Sequence, residues 1–363
     1  MFINLRQTVI LLLCGLLLLA GCNSSGFTNE GATNEGATNA GEENGRITLY
    51  ALPSSRNERY LAAFQREHPN IEVELVEDTA EQLTNLLVAN ANRPVADVVW
   101  GLPVANALQL EWLDLLKPYA PANLDSVDPR FRDSADPPHW VGTATRILVF
   151  CVNTDKTAEL DLPIPNGWQD LLDPIYQGEL THPNPMTSGA GYLILATVLD
   201  QIGGAAGWDY LATLDSQIGA YAPRAGASCE AAAMGEVTIG ISFDYRAIER
   251  IELGDPIRIV YPREGAGWDL EVNGLVRKNN IKPEAQLFLD WTLSETAVAE
   301  YAQDREMLAI SENDGHDNVV VVSQGAEPSL LDIDMPWVAA NRERIMREWI
   351  SLYGTTDEAE GTR

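Results

Sequence analysis

Between residues 46 and 101 the chain switches period four times, and that alternation limits its fold more than any other feature. "RITLY" (46–50) and "IEVELVE" (71–77) alternate polar and apolar residues and are rich in β-formers, and "ADVVWG" (96–101) is a short apolar run ending on glycine. Each of these reads as a strand. Between them, "SSRNERYLAAFQREHP" spaces Leu61, Phe64 and Tyr60 on one helical face, with Pro69 as its stop, and "TAEQLTNLLVAN" continues the pattern. Strand, helix, strand, helix, strand is an α/β unit, expected to form a mostly parallel sheet.

A proline-rich, irregular stretch from Lys117 to Trp140 leads into "RILVFCVNTD", a long apolar strand placed mid-chain where a crossover between two lobes would lie. The alternation then resumes with "GELTHPNP", a helix over Gly189–Ile202, "TIGISFDYRAIERI", "IRIVYP" and a return strand in "WDLEVNGLVRK". From Pro283 the pattern is helical, and a last helix, "PWVAANRERIMREWISLYG", precedes an acidic tail at 356–363. The expected layout is one lobe from 46–145 and 276–355, with a second lobe, 146–275, inserted into it. A cleft between lobes is a favoured place for a ligand.

The N-terminus bears on compartment. Arg6 precedes "VILLLCGLLLLAG", a run too short to span a bilayer comfortably but laid out as a secretory signal over 1–21. Its end, "LAGC", matches a bacterial lipobox with Cys22 as the lipidated residue; an uncleaved anchor helix is the alternative. Residues 22–45 repeat TNEGA with one aromatic residue, a composition unable to bury enough apolar surface to offset the entropy of ordering, so they read as a flexible linker. The folded part is therefore expected outside the cytoplasm, on the periplasmic side or at the cell surface.

Beyond the signal and the lipobox, two cysteines remain. An oxidising compartment favours pairing Cys151 with Cys229, and two buried thiols are the alternative. With no CxxC and four scattered histidines, a zinc site is not expected. The formal charge of -29, about -30 once Arg6 leaves with the signal, argues against nucleic acid and anionic lipid surfaces as partners. It does not exclude an anionic ligand, because a site is local.

Three polar segments follow strands, where open α/β sheets place their ligands. The first, "LPSSRNE" (52–58), offers the Ser54 and Ser55 hydroxyls and a helix start, with plain N-capping as the alternative. The second, "NPMTSGAGY" (184–192), sets Thr187, Ser188 and Gly189 at the start of a helix, an arrangement suited to a phosphate, phosphonate, sulfate or carboxylate. The third combines "SFDYRAIE" with "GAGWDLEVNG", putting Asp244, Asp269 and Glu271 beside Tyr245 and Trp268. Carboxylates beside aromatic rings suit an ammonium group, whereas core packing and solvated acids are the plainer account. Taken together, the segments point to a ligand with an anionic head and a cationic tail.

At these residues the sequence resembles a type II solute-binding protein of an ABC importer, in the branch that includes ferric-iron binders. The lipobox, "ITLYALPSSRNE", "ADVVWG" and "NPMTSGAGY" carry the general likeness, over residues 46–310. "FDYRA" and "GWDLE" are most similar to the 2-aminoethylphosphonate-binding members. The resemblance implies an α/β two-lobed periplasmic-binding-protein type II fold, with each lobe a mostly parallel sheet flanked by helices and two hinge strands between them. It implies a monomer without cofactor that captures an aminophosphonate and delivers it to a membrane permease. Carried over by position, Ser54, Ser55, Thr187, Ser188, Gly189 and Tyr192 surround the phosphonate, and Trp100 lines the cleft. Asp244, helped by Tyr245, Trp268 and Asp269, takes the ammonium end, and Arg56 and Arg146 add charge to the anion side. Ferric iron is the alternative ligand; iron-binding relatives carry adjacent tyrosines where this chain has Tyr245 preceded by Asp244. An enzyme is disfavoured by the lack of a GxSxG elbow, HExxH pair or Walker loop, and a purely structural lipoprotein by the gathering of polar turns at strand ends.

Overall fold

The computed structural model describes residues 45–303, 308–310 and 328–353. The signal, the lipobox, the linker up to residue 44 and the acidic tail lie outside the described residues, and Gly45, expected in the linker, is the first residue of the first strand. The first half contains β1 (Gly45–Ala51), α1 (Asn57–Glu67), β2 (Ile71–Glu77), α2 (Ala80–Ala89), β3 (Val98–Pro103), α3 (Val104–Trp112) and β4 (Leu116–Lys117). The middle contains β5 (Val141–Asn153), α4 (Thr154–Glu159), β6 (Leu180–Thr181), α5 (Gly189–Ile202), α6 (Gly204–Asp215) and α7 (Ala225–Ala233). There follow β7 (Ile239–Phe243), α8 (Asp244–Glu252), β8 (Ile257–Val260) and β9 (Trp268–Val276). Four helices close the chain: α9 (Pro283–Trp291), α10 (Glu295–Tyr301), α11 (Met335–Ala340) and α12 (Arg342–Tyr353). Two helical runs expected to be continuous are thus each broken. Ser294 starts α10 by accepting from the Ala297 N–H at 3.2 Å, a hydroxyl cap that competes with helix continuation.

The strands follow the order β2-β1-β3-β9-β5-β7-β6, with β4 on β9 and β8 on β5. β1 pairs in parallel with β2 and β3, and β6 with β7. The long strands β5 and β9 run antiparallel to their partners, so the sheet is mixed, with parallel pairing confined to its two ends. The reason lies in β5. Its residues 141–147 pair with β9, and residues 148–153 pair with β7 and β8, so one strand serves two sheet portions and β9 returns beside it. All thirteen residues of β5 are buried, which explains the apolar run Ile147–Val152.

One buried carboxylate ties the first portion together. Asp97, with a side chain 2% exposed, accepts from Thr48 N–H at 2.9 Å and pairs with Lys278 at 2.6 Å and Lys282 at 2.8 Å. In the other portion, Cys151 of β5 and Cys229 of α7 meet as a disulfide with Cα atoms 5.4 Å apart. The C-terminal helices are not confined to one portion: α11 packs on α3 and α5, and α12 on α5.

Candidate functional site

A cavity of about 90 Å3 opens where the β1–α1 turn, β3, β5, β9 and the first turn of α8 meet. Ser54, Arg56 and Trp100 reach it from the first portion, Arg146 and Glu271 from the two crossing strands, and Tyr245 and Arg246 from α8. It therefore holds three guanidinium groups against one carboxylate, in a chain whose overall charge is strongly negative.

Arg146 is the centre of this charge. Its Nε donates to Glu271 Oε1 at 2.8 Å and its Nη2 to the Gly101 carbonyl at 2.9 Å, while Asp269 Oδ2 lies 3.9 Å from Nη1. Burial would pull its pKa down, but the charges of Glu271 and Asp269 outweigh that and raise it, so the guanidinium stays charged. Arg146 thereby links β3, β5 and β9 while facing the cavity. At the other wall, the Arg56 guanidinium lies 4.5 Å from the centre of the Tyr245 ring and the Arg246 guanidinium 4.8 Å from it. These contacts join the β1–α1 turn to α8 by cation–π attraction. Burial also works against the charge of Arg246, and Tyr245 and Glu249 reverse it, leaving the pKa raised. Tyr60 packs edge-on against Tyr301 at 5.0 Å and Trp100 at 6.2 Å, forming an aromatic wall.

Of the residues expected at a ligand, Ser54, Trp100 and Tyr245 line this cavity, with Arg56 and Arg146 beside them. The others do not. Ser54 Oγ also accepts from the Arg56 N–H at 3.3 Å, shaping the turn, and Ser55 is exposed. Asp244 is buried, and its Oδ1 accepts from the Ile147 N–H at 3.1 Å, joining α8 to β5. Asp269 Oδ1 accepts from Leu270 N–H at 2.8 Å and Val104 N–H at 3.3 Å, which caps α3. Burial raises its pKa, with Arg146 opposing. Trp268 donates its indole N–H to Leu331 O at 2.8 Å and packs edge-on against Phe131.

The Thr187–Tyr192 stretch does not line this cavity. Thr187 Oγ1 donates to Pro223 O at 2.9 Å, Ser188 makes no side-chain cap, and Gly189 is exposed. Tyr192 donates to Val338 O, with Arg342 over its ring at 4.5 Å, so it anchors the C-terminal helices on α5. Gly191 is required by close approach: a Cβ there would lie 2.4 Å from Pro183 O.

Sequence reasoning did not select Arg246, Thr143, Tyr60 or Tyr301 for the site and named Glu271 only as one of the acids beside Tyr245 and Trp268, although all five line the cavity. The one available signal was a charge in an apolar strand. Arg146 and Glu271 each interrupt a buried run, and a charge kept there needs a partner.

The mixed sheet with its crossing strands β5 and β9 is that of the two-lobed type II periplasmic binding proteins. Residues 95–320 match the family described as bacterial extracellular solute-binding protein. A probable ABC transporter periplasmic-binding protein of Sinorhizobium fredii, y4fP, is 25% identical over 70% of this chain and 72% of its own. The Fe(3+)-binding periplasmic protein of Serratia marcescens is 26% identical over 74% and 78%. Among solved structures, the periplasmic binding protein AfuA of Actinobacillus pleuropneumoniae, with exogenous fructose-6-phosphate bound, superposes with a TM-score of 0.74 at 26% identity, covering 85% of this chain and 98% of that one. The chain belongs to the bacterial extracellular solute-binding protein family and is a solute-binding component of an ABC importer, related to ferric-binding proteins. Among the described residues no helix is long and apolar enough to cross a membrane.

Proposed function

We propose that the protein captures a small organic phosphonate or phosphate ester in this cleft, with 2-aminoethylphosphonate as the first candidate, and delivers it to its permease. The observation that carries this reading is the convergence of Arg56, Arg146 and Arg246 on a cavity with one carboxylate, Glu271. Guanidinium groups match a tetrahedral oxyanion through paired, charge-assisted hydrogen bonds. The small volume suits a compact solute. Glu271 and the Tyr245 ring replace Asp244 as the acceptors for an ammonium end. AfuA with its sugar phosphate supports the phosphoryl class.

In this reading the lobes 46–145 with 276–355 and 146–275 close on the solute about β5 and β9, with Cys22 carrying the lipid anchor and the chain acting as a monomer. Calorimetric titration of the full-length chain in detergent tests it, using 2-aminoethylphosphonate, ethylphosphonate, fructose 6-phosphate and inorganic phosphate. Micromolar or tighter binding of the aminophosphonate alone supports the full proposal. Tight binding of the sugar phosphate instead keeps the anion site and discards the amine site.

Ferric ion is a second reading, favoured by the three phenols, Tyr60, Tyr245 and Tyr301, that line the cleft. It ranks second because three guanidinium charges repel a tripositive ion. No heat with any phosphorus compound and a visible absorbance band with ferric citrate would establish it.

A further inference from the structure

A second, larger cavity of about 700 Å3 lies between α3, the 130–134 segment, β9 and the 330–336 segment, lined largely by apolar groups including Trp140 and Trp268. At its rim we propose a binding site for a divalent transition-metal ion of the zinc class, formed by Glu111, Asp133 and His139. One donor atom from each lies within 4.8 Å of the others. None of the three lines the solute cleft.

The donors are already oriented by their neighbours. Glu111 ends α3 but one residue, and its Oε2 accepts from the Trp140 indole N–H at 2.9 Å. Asp133 and His139 close a tight turn. The Asp133 N–H donates to Trp140 O at 3.2 Å, and the His139 N–H donates to Asp133 Oδ2 at 2.9 Å. The Ala135 N–H donates to Asp133 Oδ1 at 3.1 Å, and His139 Nδ1 lies 2.7 Å from Asp133 Oδ2. Nδ1 of His139 already faces the Asp133 carboxylate, so a bound ion would replace the hydrogen between Nδ1 and Oδ2 and take Glu111 as its third donor.

The local charge calls for a cation. The side chains of Asp133 and His139 are 8% and 23% exposed. Among the described residues, no lysine or arginine pairs with Glu111 or Asp133. The two arginines lining the same cavity are engaged elsewhere, Arg130 with Asp128 at 2.7 Å and Arg132 with Leu124 O at 3.1 Å. Two carboxylates therefore face one imidazole. A mixed nitrogen and oxygen set favours zinc-class ions over magnesium or calcium, which prefer oxygen alone. Zinc bonds of about 2.0–2.2 Å put tetrahedral donors roughly 3.4 Å apart, so binding spreads the 2.7 Å contact between His139 and Asp133 and closes the wider gaps in the set. The cavity beside Glu111 and Asp133 leaves room for a water to complete the shell.

The test is titration of the full-length chain in detergent with zinc sulfate, followed by calorimetry and thermal melting, with magnesium chloride as the control. The expected result is binding of one zinc ion with a rise in Tm, and neither effect with magnesium. His139→Gln and Glu111→Gln lose the response while keeping their circular dichroism spectra. Trp140→Phe, which removes only the N–H that orients Glu111, weakens zinc by about 10–100-fold. The absence of zinc heat in the wild type, or equal zinc affinity in His139→Gln and Glu111→Gln, would overturn the proposal.

Discussion

Two turns of this chain read alike and do different work. Leu52–Glu58 and His182–Tyr192 both leave a strand, carry Ser, Thr or Asn, and run into a helix. The first borders the cleft through Ser54 and Arg56. The second does not line that cavity, and its flanks are packed: Gly191 lets α5 press on Pro183, His182 is buried against Tyr221, and Tyr192 holds the C-terminal helices. A polar strand-to-helix turn is thus an opportunity for a ligand. Whether it is used depends on which edge of the sheet it occupies and what covers it.

Substitutions can break that contrast, beginning with the largest effect. Arg146→Ala removes the guanidinium that pairs with buried Asp269 and half-buried Glu271, and is expected to cost about 3–5 kcal/mol in urea denaturation together with loss of solute binding. An unchanged midpoint would remove Arg146 from the framework of the cleft. Near the second turn, reducing the Cys151–Cys229 bond is expected to cost about 2–4 kcal/mol and lower the Tm. Mass spectrometry finding two free thiols in the secreted protein would show that the pairing does not form.

His182 sharpens the contrast through pH. Burial pushes its pKa down to about 4 from an ordinary 6.5, against the pull of Pro183 O and Asp215. The unfolded chain therefore takes up the proton first. This contribution leaves stability intact above about pH 6.5 and lowers it as pH falls, by about 3 kcal/mol at pH 4. His182→Asn should flatten that part of the stability profile, and identical acid slopes in the two proteins would contradict a buried neutral imidazole.

Arg246→Ala should weaken solute binding by about 1.5–3 kcal/mol with little change in Tm, because its charge faces the cavity. Equal affinity would reduce Arg246 to a partner of Glu249. The smallest effect belongs to Ser188→Ala, within about 0.5 kcal/mol in both affinity and stability, since its hydroxyl caps nothing. A large affinity loss there would return the second turn to the ligand site.

Much of the fold was legible where burial imposes a period. The alternation in β1 and β2, the spacing of Tyr60 and Phe64, and the limits of α5 follow from one-sided or complete burial. α7 was not legible: "AGASCEAAA" has small residues on every face, and it forms a helix because it packs against β7 and β5. The site was legible in part. Ser54 and Tyr245 follow strand ends and Trp100 lies within β3, but Tyr301 comes from α10, far along the chain, and no local pattern announces it.

By itself the sequence determined an α/β chain with a long central crossover strand, because the periods of its apolar residues leave little other way to bury them. It also supplied each charge that the cleft would use. Only the tertiary structure decided which charges meet. Asp244 and Glu271 are equally acidic in the sequence, yet Asp244 accepts from the β5 backbone at Ile147 while Glu271 faces the cavity beside Arg146. A carboxylate's role is set by the nearest donor in space, and residues 125 positions apart become nearest neighbours only when β5 and β9 pair.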